Sequence, residues 1–133
     1  MRRVAKNEAL FACWAYDLIK TDHEEINKLI RYFYTDTVKQ YWDAARSYVD
    51  NHYSTVPFPF EELPNPGFSI YLSWDTETLK GYLNTWSAVQ HYIRINHENP
   101  VDDLIRKIRI KTGDNILINA VFPVFMRIGI IQK

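Results

Sequence analysis

At 133 residues the chain is long enough for one domain with one substantial core and too short for two comfortable ones. Lysine plus arginine and aspartate plus glutamate number 16 each, so no net field draws the chain to nucleic acid or to an anionic membrane. A composition of 47% hydrophobic and 15% aromatic residues excludes a disordered polymer and demands extensive burial.

Residues 9 to 16, "ALFACWAY", form an unbroken apolar run that predicts a strand covered on both faces, as in a mostly parallel sheet, or else a buried helix fragment. Cys13 lies inside it, a buried small hydrophobe with no second cysteine to pair, which fits a reducing cytoplasm. The preceding charged stretch is interrupted by Glu8 and makes no convincing signal peptide, and no apolar run approaches the ~20 residues that cross a bilayer. Next, Asp22 as cap, Glu25 as its reciprocal partner and Ile26, Leu29, Ile30 and Phe33 at helical spacing predict a helix from 23 to about 35. A second, shorter helix is expected within "KQYWDAARSYVDNHY", with Trp42, Ala45 and Val49 on one face and Arg46 close to it.

Residues 52 to 68, "HYSTVPFPFEELPNPGF", hold four of the six prolines among aromatic rings. Each proline fixes φ and removes a donor, so this is a stiff extended connection. Tyr53, Phe58, Phe60 and Phe68 would expose large apolar faces unless the segment lies on something. "FSIYLSW", 68 to 74, alternates like a half-buried strand. Asp75 then caps one long helical pattern through Leu79, Tyr82, Leu83, Trp86, Val89 and Ile93, in which Gly81 suggests close packing against another backbone. Asn99 and Pro100 open a further helix with acids first and Arg106, Lys107, Arg109 and Lys111 last, an arrangement that the helix dipole explains without nucleic acid. After a turn at 113 to 115 come one long or two short strands, with Pro123 marking an edge or a bulge.

No HExxH, paired cysteines, GxSxG or glycine-rich phosphate loop is present, and the four histidines show no metal-ligand spacing, so no metal is expected. Glycines 67, 81, 113 and 129 are too scattered to cradle a dinucleotide or adenosyl group. His52 and His91 flank aromatic segments, as pocket groups or as packing histidines; Arg46 could clamp a carboxylate or pair with Asp43 or Asp50. Tyrosines 34, 41, 48 and 53 with Trp42 and Trp86 could line an amphipathic pocket or form an ordinary core.

Together "FACWAY", "HYSTVPFPFEEL", "GYLNTWSAVQHYI", "NPVDDLI" and "FPVFMRIG" resemble the C-terminal part of class I S-adenosylmethionine-dependent methyltransferases similar to trans-aconitate methyltransferase and the methyltransferase type 11 family. The resemblance implies an α/β fold: a partial Rossmann-like sheet of C-terminal strands with an inserted helical cap. Residues 1 to 133 would be one domain, with 1 to 21 carrying the fifth sheet strand, 22 to 66 the cap and proline-aromatic segment, and 67 to 133 the terminal strands and helices. The first four strands of that fold, with its glycine-rich loop and ribose-binding acid, have no counterpart here. S-adenosylmethionine is therefore the parent family's cofactor, with none expected on this chain alone. By the same resemblance Arg46 would clamp an anion, Trp42, Tyr53 and Trp86 would wall a small-molecule substrate, and His52 would supply a polar contact. A carboxylate acceptor is already nucleophilic and would need no general base.

Two readings follow from this resemblance. In one, the chain is the substrate-cap portion of such an enzyme, inactive without a complementary N-terminal half. In the other, it is a non-catalytic binding or assembly module that covers its orphaned sheet edge as a homodimer. A complete enzyme with another cofactor has no supporting constellation.

Overall fold

The computed structural model describes residues 3–132. In chain order the elements are β1 (Ala9–Tyr16), β2 (Lys20–Thr21), α1 (Glu24–Tyr32), α2 (Arg46–Asp50), β3 (Glu61–Leu63), β4 (Phe68–Trp74), α3 (Thr76–Asn84), α4 (Ser87–Asn96), α5 (Pro100–Thr112) and β5 (Ile118–Ile131). All four other strands pair with β5. Its 14 residues lie inside a sheet because it is apolar almost throughout and half or fully buried at nearly every position.

The apolar run 9–16 is a strand, as its sequence predicts, but it is antiparallel to β5 and covered on one side only. Its register runs from Ala9 opposite Ile131 to Tyr16 opposite Val124. Phe11, Cys13 and Ala15 are half-buried while Leu10, Trp14 and Tyr16 are 69%, 64% and 45% exposed. A continuous apolar run cannot distinguish two covered faces from one apolar face left open, which is why the expectation of a mostly parallel, doubly covered strand fails. Beyond Tyr16, pairing resumes at Lys20 opposite Val121. Asp17, Leu18 and Ile19 therefore stand against only Phe122 and Pro123, a bulge at which the Asp17 N–H donates to the Pro123 carbonyl at 2.8 Å. Proline, with no donor of its own, is tolerated at such an interruption.

The chain divides into two compact units. Unit 1 comprises the residues up to Leu18, Ala45–Ile70 and those from Phe122 onward; unit 2 comprises Ile19–Ala44 and Tyr71–Val121. Most of the buried apolar side chains belong to unit 2, where α1, α3 and α4 pack on α5 through Ile26, Ile30, Leu79, Leu83, Val89, Leu104 and Ile108. Such burial stabilises each side chain by roughly 1.5–3 kcal/mol.

Helix starts in unit 2 show where local signals win. Asp75 caps α3 by accepting the Thr78 N–H at 2.7 Å, and Asn99 caps α5 by accepting the Val101 N–H at 3.0 Å ahead of Pro100. Asp22 does not cap α1; that place falls to His23, whose side chain makes no capping bond. Instead the Asp22 carboxylate accepts the Asn119 N–H at 3.0 Å and its side-chain amide at 2.7 Å, tying the start of α1 to β5. After Tyr32 the helix widens, with the Val38 N–H reaching the Phe33 carbonyl at 3.0 Å, and ends in a short tight turn at Lys39–Tyr41.

The long pattern 76–95 is two helices. The chain leaves helical geometry at Trp86 (ψ 130°), which becomes the residue before α4 and turns its ring inward. Gly81 meets no atom within 4 Å of where a Cβ would stand, so it marks no close packing. On α5, Asp103 binds Arg106 and Lys107, Asp102 binds Lys80 at 2.7 Å, and Arg109 binds Glu77. These ion pairs engage three of the four basic residues of its last turns. No helix among the described residues is long and apolar enough to cross a membrane.

Candidate functional site

The proline-aromatic segment lies on one face of the β1–β5 ladder within unit 1. On that face the register places Phe11 opposite Gly129 and Cys13 opposite Arg127. Phe58 and Phe60 pack on Phe11 with ring centroids 5.8 and 5.2 Å away, and on each other edge to face at 5.3 Å. β3 continues the segment as a strand, with Glu61 opposite Ile130 and Leu63 opposite Ile128.

Arg127 fastens this layer. Its Nε and Nη2 donate to the two carboxylate oxygens of Glu62 at 2.9 and 2.8 Å. Its Nη1 donates to the Tyr53 and Val56 carbonyls at 2.9 and 2.7 Å. The guanidinium also lies 4.4 Å from the centre of the Phe58 ring. One planar fork thus holds a carboxylate, two loop carbonyls and a π face at once, which the point charge of a lysine could not do. The hydrogen bonds from Arg127 hold the Glu62 carboxyl below the usual range, and the same contact raises Arg127 above its own.

Under this layer the structure leaves a cavity of about 480 Å³. Phe11 and Cys13 of β1 and Arg127 of β5 supply one wall; Tyr48 of α2, Tyr53, Val56 and the run from Pro57 to Phe60 supply the rest. Before it, α2 ends in a turn where His52 and Tyr53 both take left-handed backbone geometry, φ 51° and 58°. For residues with a Cβ this is unfavourable and persists only where surroundings enforce it. Here the Tyr53 N–H donates to the Tyr48 carbonyl at 2.7 Å and Arg127 binds the Tyr53 carbonyl. The His52 ring contacts Asp17 at 2.5 Å and stacks on Phe125 at 4.3 Å; Tyr53 meets the same Phe125 edge-on at 5.2 Å.

The five residues singled out from the sequence fall in different units. His52 and Tyr53 share Phe125 in unit 1, and Tyr53 lines the cavity. Arg46, also in unit 1, donates to Asp50 at 3.2 Å, four residues along α2. Trp42 and Trp86 meet in unit 2 at 5.5 Å, within a ring cluster that includes Phe33, Tyr34 and Tyr82. Trp42 sits in extended geometry ahead of α2, so it does not share a helical face with Ala45 and Val49 as its spacing predicts. His91 contacts the Tyr41 carbonyl at 2.9 Å. Arg127, Glu62 and Phe11 escaped the sequence reading. The available signal was a single arginine within the apolar run "FPVFMRIGII", two residues from a glycine and so on the same face of the strand.

No glycine is placed to let backbone approach an adenosyl group. Gly67 and Gly113 are in turns at positive φ, Gly81 is inside α3, and the space beside Gly129 is filled by Phe58 and Phe60 at 2.7 Å. The described residues therefore contain no glycine-lined turn from strand to helix of the kind that cradles a dinucleotide. Nor do they contain a group of three or more histidine, cysteine or acidic side chains that could hold a metal ion.

Comparison with known proteins gives this geometry a context. No family model matches the chain. A solved structure from Anaeromyxobacter dehalogenans, described as a putative type II methyltransferase, superposes with a TM-score of 0.87 at 32% identity, over 98% of this chain and 56% of that one. A protein of Dictyostelium discoideum named a putative methyltransferase is 24% identical over 131 residues, 94% of this chain and 50% of the relative. The chain has an α/β, methyltransferase-like fold, and it spans about half the length of the relatives it matches.

Proposed function

We propose that this chain is the substrate-side portion of an S-adenosylmethionine-dependent small-molecule methyltransferase, working with a complementary segment that holds the cofactor. The observation that carries the reading is the similarity to the Anaeromyxobacter protein, which runs over nearly the whole chain at 32% identity and a TM-score of 0.87. In this reading the cofactor is held by the complementary segment, and this chain takes the other half of the task. It binds and orients an acceptor and keeps water away, as group transfer requires. Within that reading Tyr53 walls the acceptor cavity and His52, held by Asp17, is a polar contact beside it. Trp42 and Trp86, expected from the sequence as further walls of the substrate site, pack on each other within unit 2. Arg46 serves as an anion clamp only by exchanging Asp50 for a substrate carboxylate.

The test is a chimera in which residues 3–132 replace the matched part of the Anaeromyxobacter protein. Release of S-adenosylhomocysteine is followed over a panel of small acids, phenols and amines. Turnover with at least one acceptor supports the reading. A chimera that folds and binds S-adenosylmethionine yet turns over none of a panel that its parent methylates would overturn it.

A second reading, a self-associating module without catalysis, is favoured by the exposed row Leu10, Trp14 and Tyr16 on β1. It expects a dimer at micromolar concentration that Trp14→Lys dissociates. A monomer in sedimentation velocity at that concentration would dismiss it.

A further inference from the structure

We propose that the 480 Å³ cavity of unit 1 takes the ring-bearing part of an uncharged small molecule, and that Arg127 shapes its wall instead of clamping an anion. The proposal rests on the reading of unit 1 as the acceptor side of a methyltransferase and names the class of molecule that side accepts.

Size comes first: the volume falls within the few hundred to about 1,000 Å³ of ordinary ligand sites. Rigidity follows from Pro57 and Pro59, which fix the backbone on either side of Phe58. With Phe11, Phe58 and Phe60 held against one another, the wall is set before any ligand arrives, which lowers the ordering cost of binding.

Charge decides the class. Among the described residues that line the cavity the one cationic side chain is Arg127, and Glu62 and the two carbonyls already take four of its five N–H donors. An anion entering here would lose its hydration beside a guanidinium whose charge Glu62 already balances, and a single remaining Nη2 hydrogen is a poor replacement for that hydration. A cation fares no better. The Glu62 charge is already balanced by Arg127 and its side chain is not among the lining groups, and one face of Phe58 is covered by Arg127 itself at 4.4 Å. What remains polar among the lining side chains is the thiol of Cys13 and the hydroxyls of Tyr48 and Tyr53, groups suited to a single neutral donor or acceptor on an otherwise apolar molecule.

The experiment uses two fluorescent probes on the full chain. N-phenyl-1-naphthylamine is neutral; 1-anilinonaphthalene-8-sulfonate has the same rings and a sulfonate. The neutral probe is expected to bind saturably, one per chain, and at least tenfold more tightly than the sulfonate. Two marks place it in the cavity. Val56→Trp, at the exposed rim, weakens binding at least tenfold, and saturating probe slows alkylation of Cys13 by iodoacetamide at least tenfold. Either mark together with the preference for the neutral probe supports the proposal. Equal affinities, no saturable binding, or binding that shows neither mark overturns it. The enzymatic reading fails separately: binding with the expected preference, in a chain whose chimera transfers no methyl group, would sink that reading and leave this one standing.

Discussion

The Cβ that Gly129 lacks would stand 2.7 Å from the edge of the Phe58 ring. It would also lie 2.7 Å from the Phe60 Cβ and 3.0 Å from the Glu61 carbonyl oxygen, so a rotated ring alone cannot make room. Gly129→Ala must push β3 and the proline-aromatic layer away from β5. Overpacking of this kind costs roughly 1–3 kcal/mol, and urea unfolding is expected to show a loss of that size. An unchanged midpoint would mean that the layer is not held this close.

Arg127→Met keeps a stem to lie on Phe58 but deprives Glu62 and the Tyr53 and Val56 carbonyls of their donor together. Stability is expected to fall further than for Lys28→Met, which removes only an exposed pair with Glu25. Arg127→Lys should restore little, because one ammonium cannot reproduce the fork. Full rescue by lysine would contradict the role given to the planar geometry. Urea midpoints of the three variants decide between these outcomes.

Trp86→Ala tests the ring cluster of unit 2. Trp86 is 8% exposed, with Phe33, Tyr34, Trp42 and Tyr82 rings between 5.5 and 6.1 Å away. Truncating such a side chain costs about 3–5 kcal/mol through lost contacts and a cavity. Trp42→Ala, at a half-buried site, should cost less. If both variants unfold at the wild-type midpoint, the cluster is not the core of this unit.

Legibility in the sequence followed the range of the cause. Asn99 with Pro100 and Asp75 with Thr78 act within three residues, and both helix starts were readable. Asp22 carries an equally good local signal, yet Asn119, 97 residues away, takes its carboxylate. The same holds for the site. Stiffness and ring content around Tyr53 are local properties and pointed to a wall. What the wall rests on is set by pairing of residues far apart, Cys13 with Arg127 and Phe11 with Gly129, which no window of sequence contains. The break at Trp86 is a third instance: the helical period continues through it, while the buried ring cluster governs where the helix ends.

The Asp22–Asn119 contact gives a pH dependence with a defined sign. The two hydrogen bonds from Asn119 hold the Asp22 carboxyl below its usual value, against a smaller opposing effect of desolvation. The folded state therefore binds this proton less readily than the unfolded chain, whose aspartates titrate near about 3.9. Stability from this contact is complete above that unfolded value and is lost as pH falls through the lower, folded one. Glu62, lowered by Arg127, and Asp103, lowered by Lys107 and Arg106, act in the same direction. Urea midpoints are expected to stay level from pH 7 to about 5 and to decline below about 4.5. In Asp22→Asn the ionised acceptor is gone at every pH. Its deficit against wild type should therefore be largest near neutrality and shrink toward pH 3, because acid removes from wild type what the substitution has already removed. A deficit that stays constant over that range would show that the carboxylate's charge contributes nothing, and that only the shape of the side chain matters at this joint.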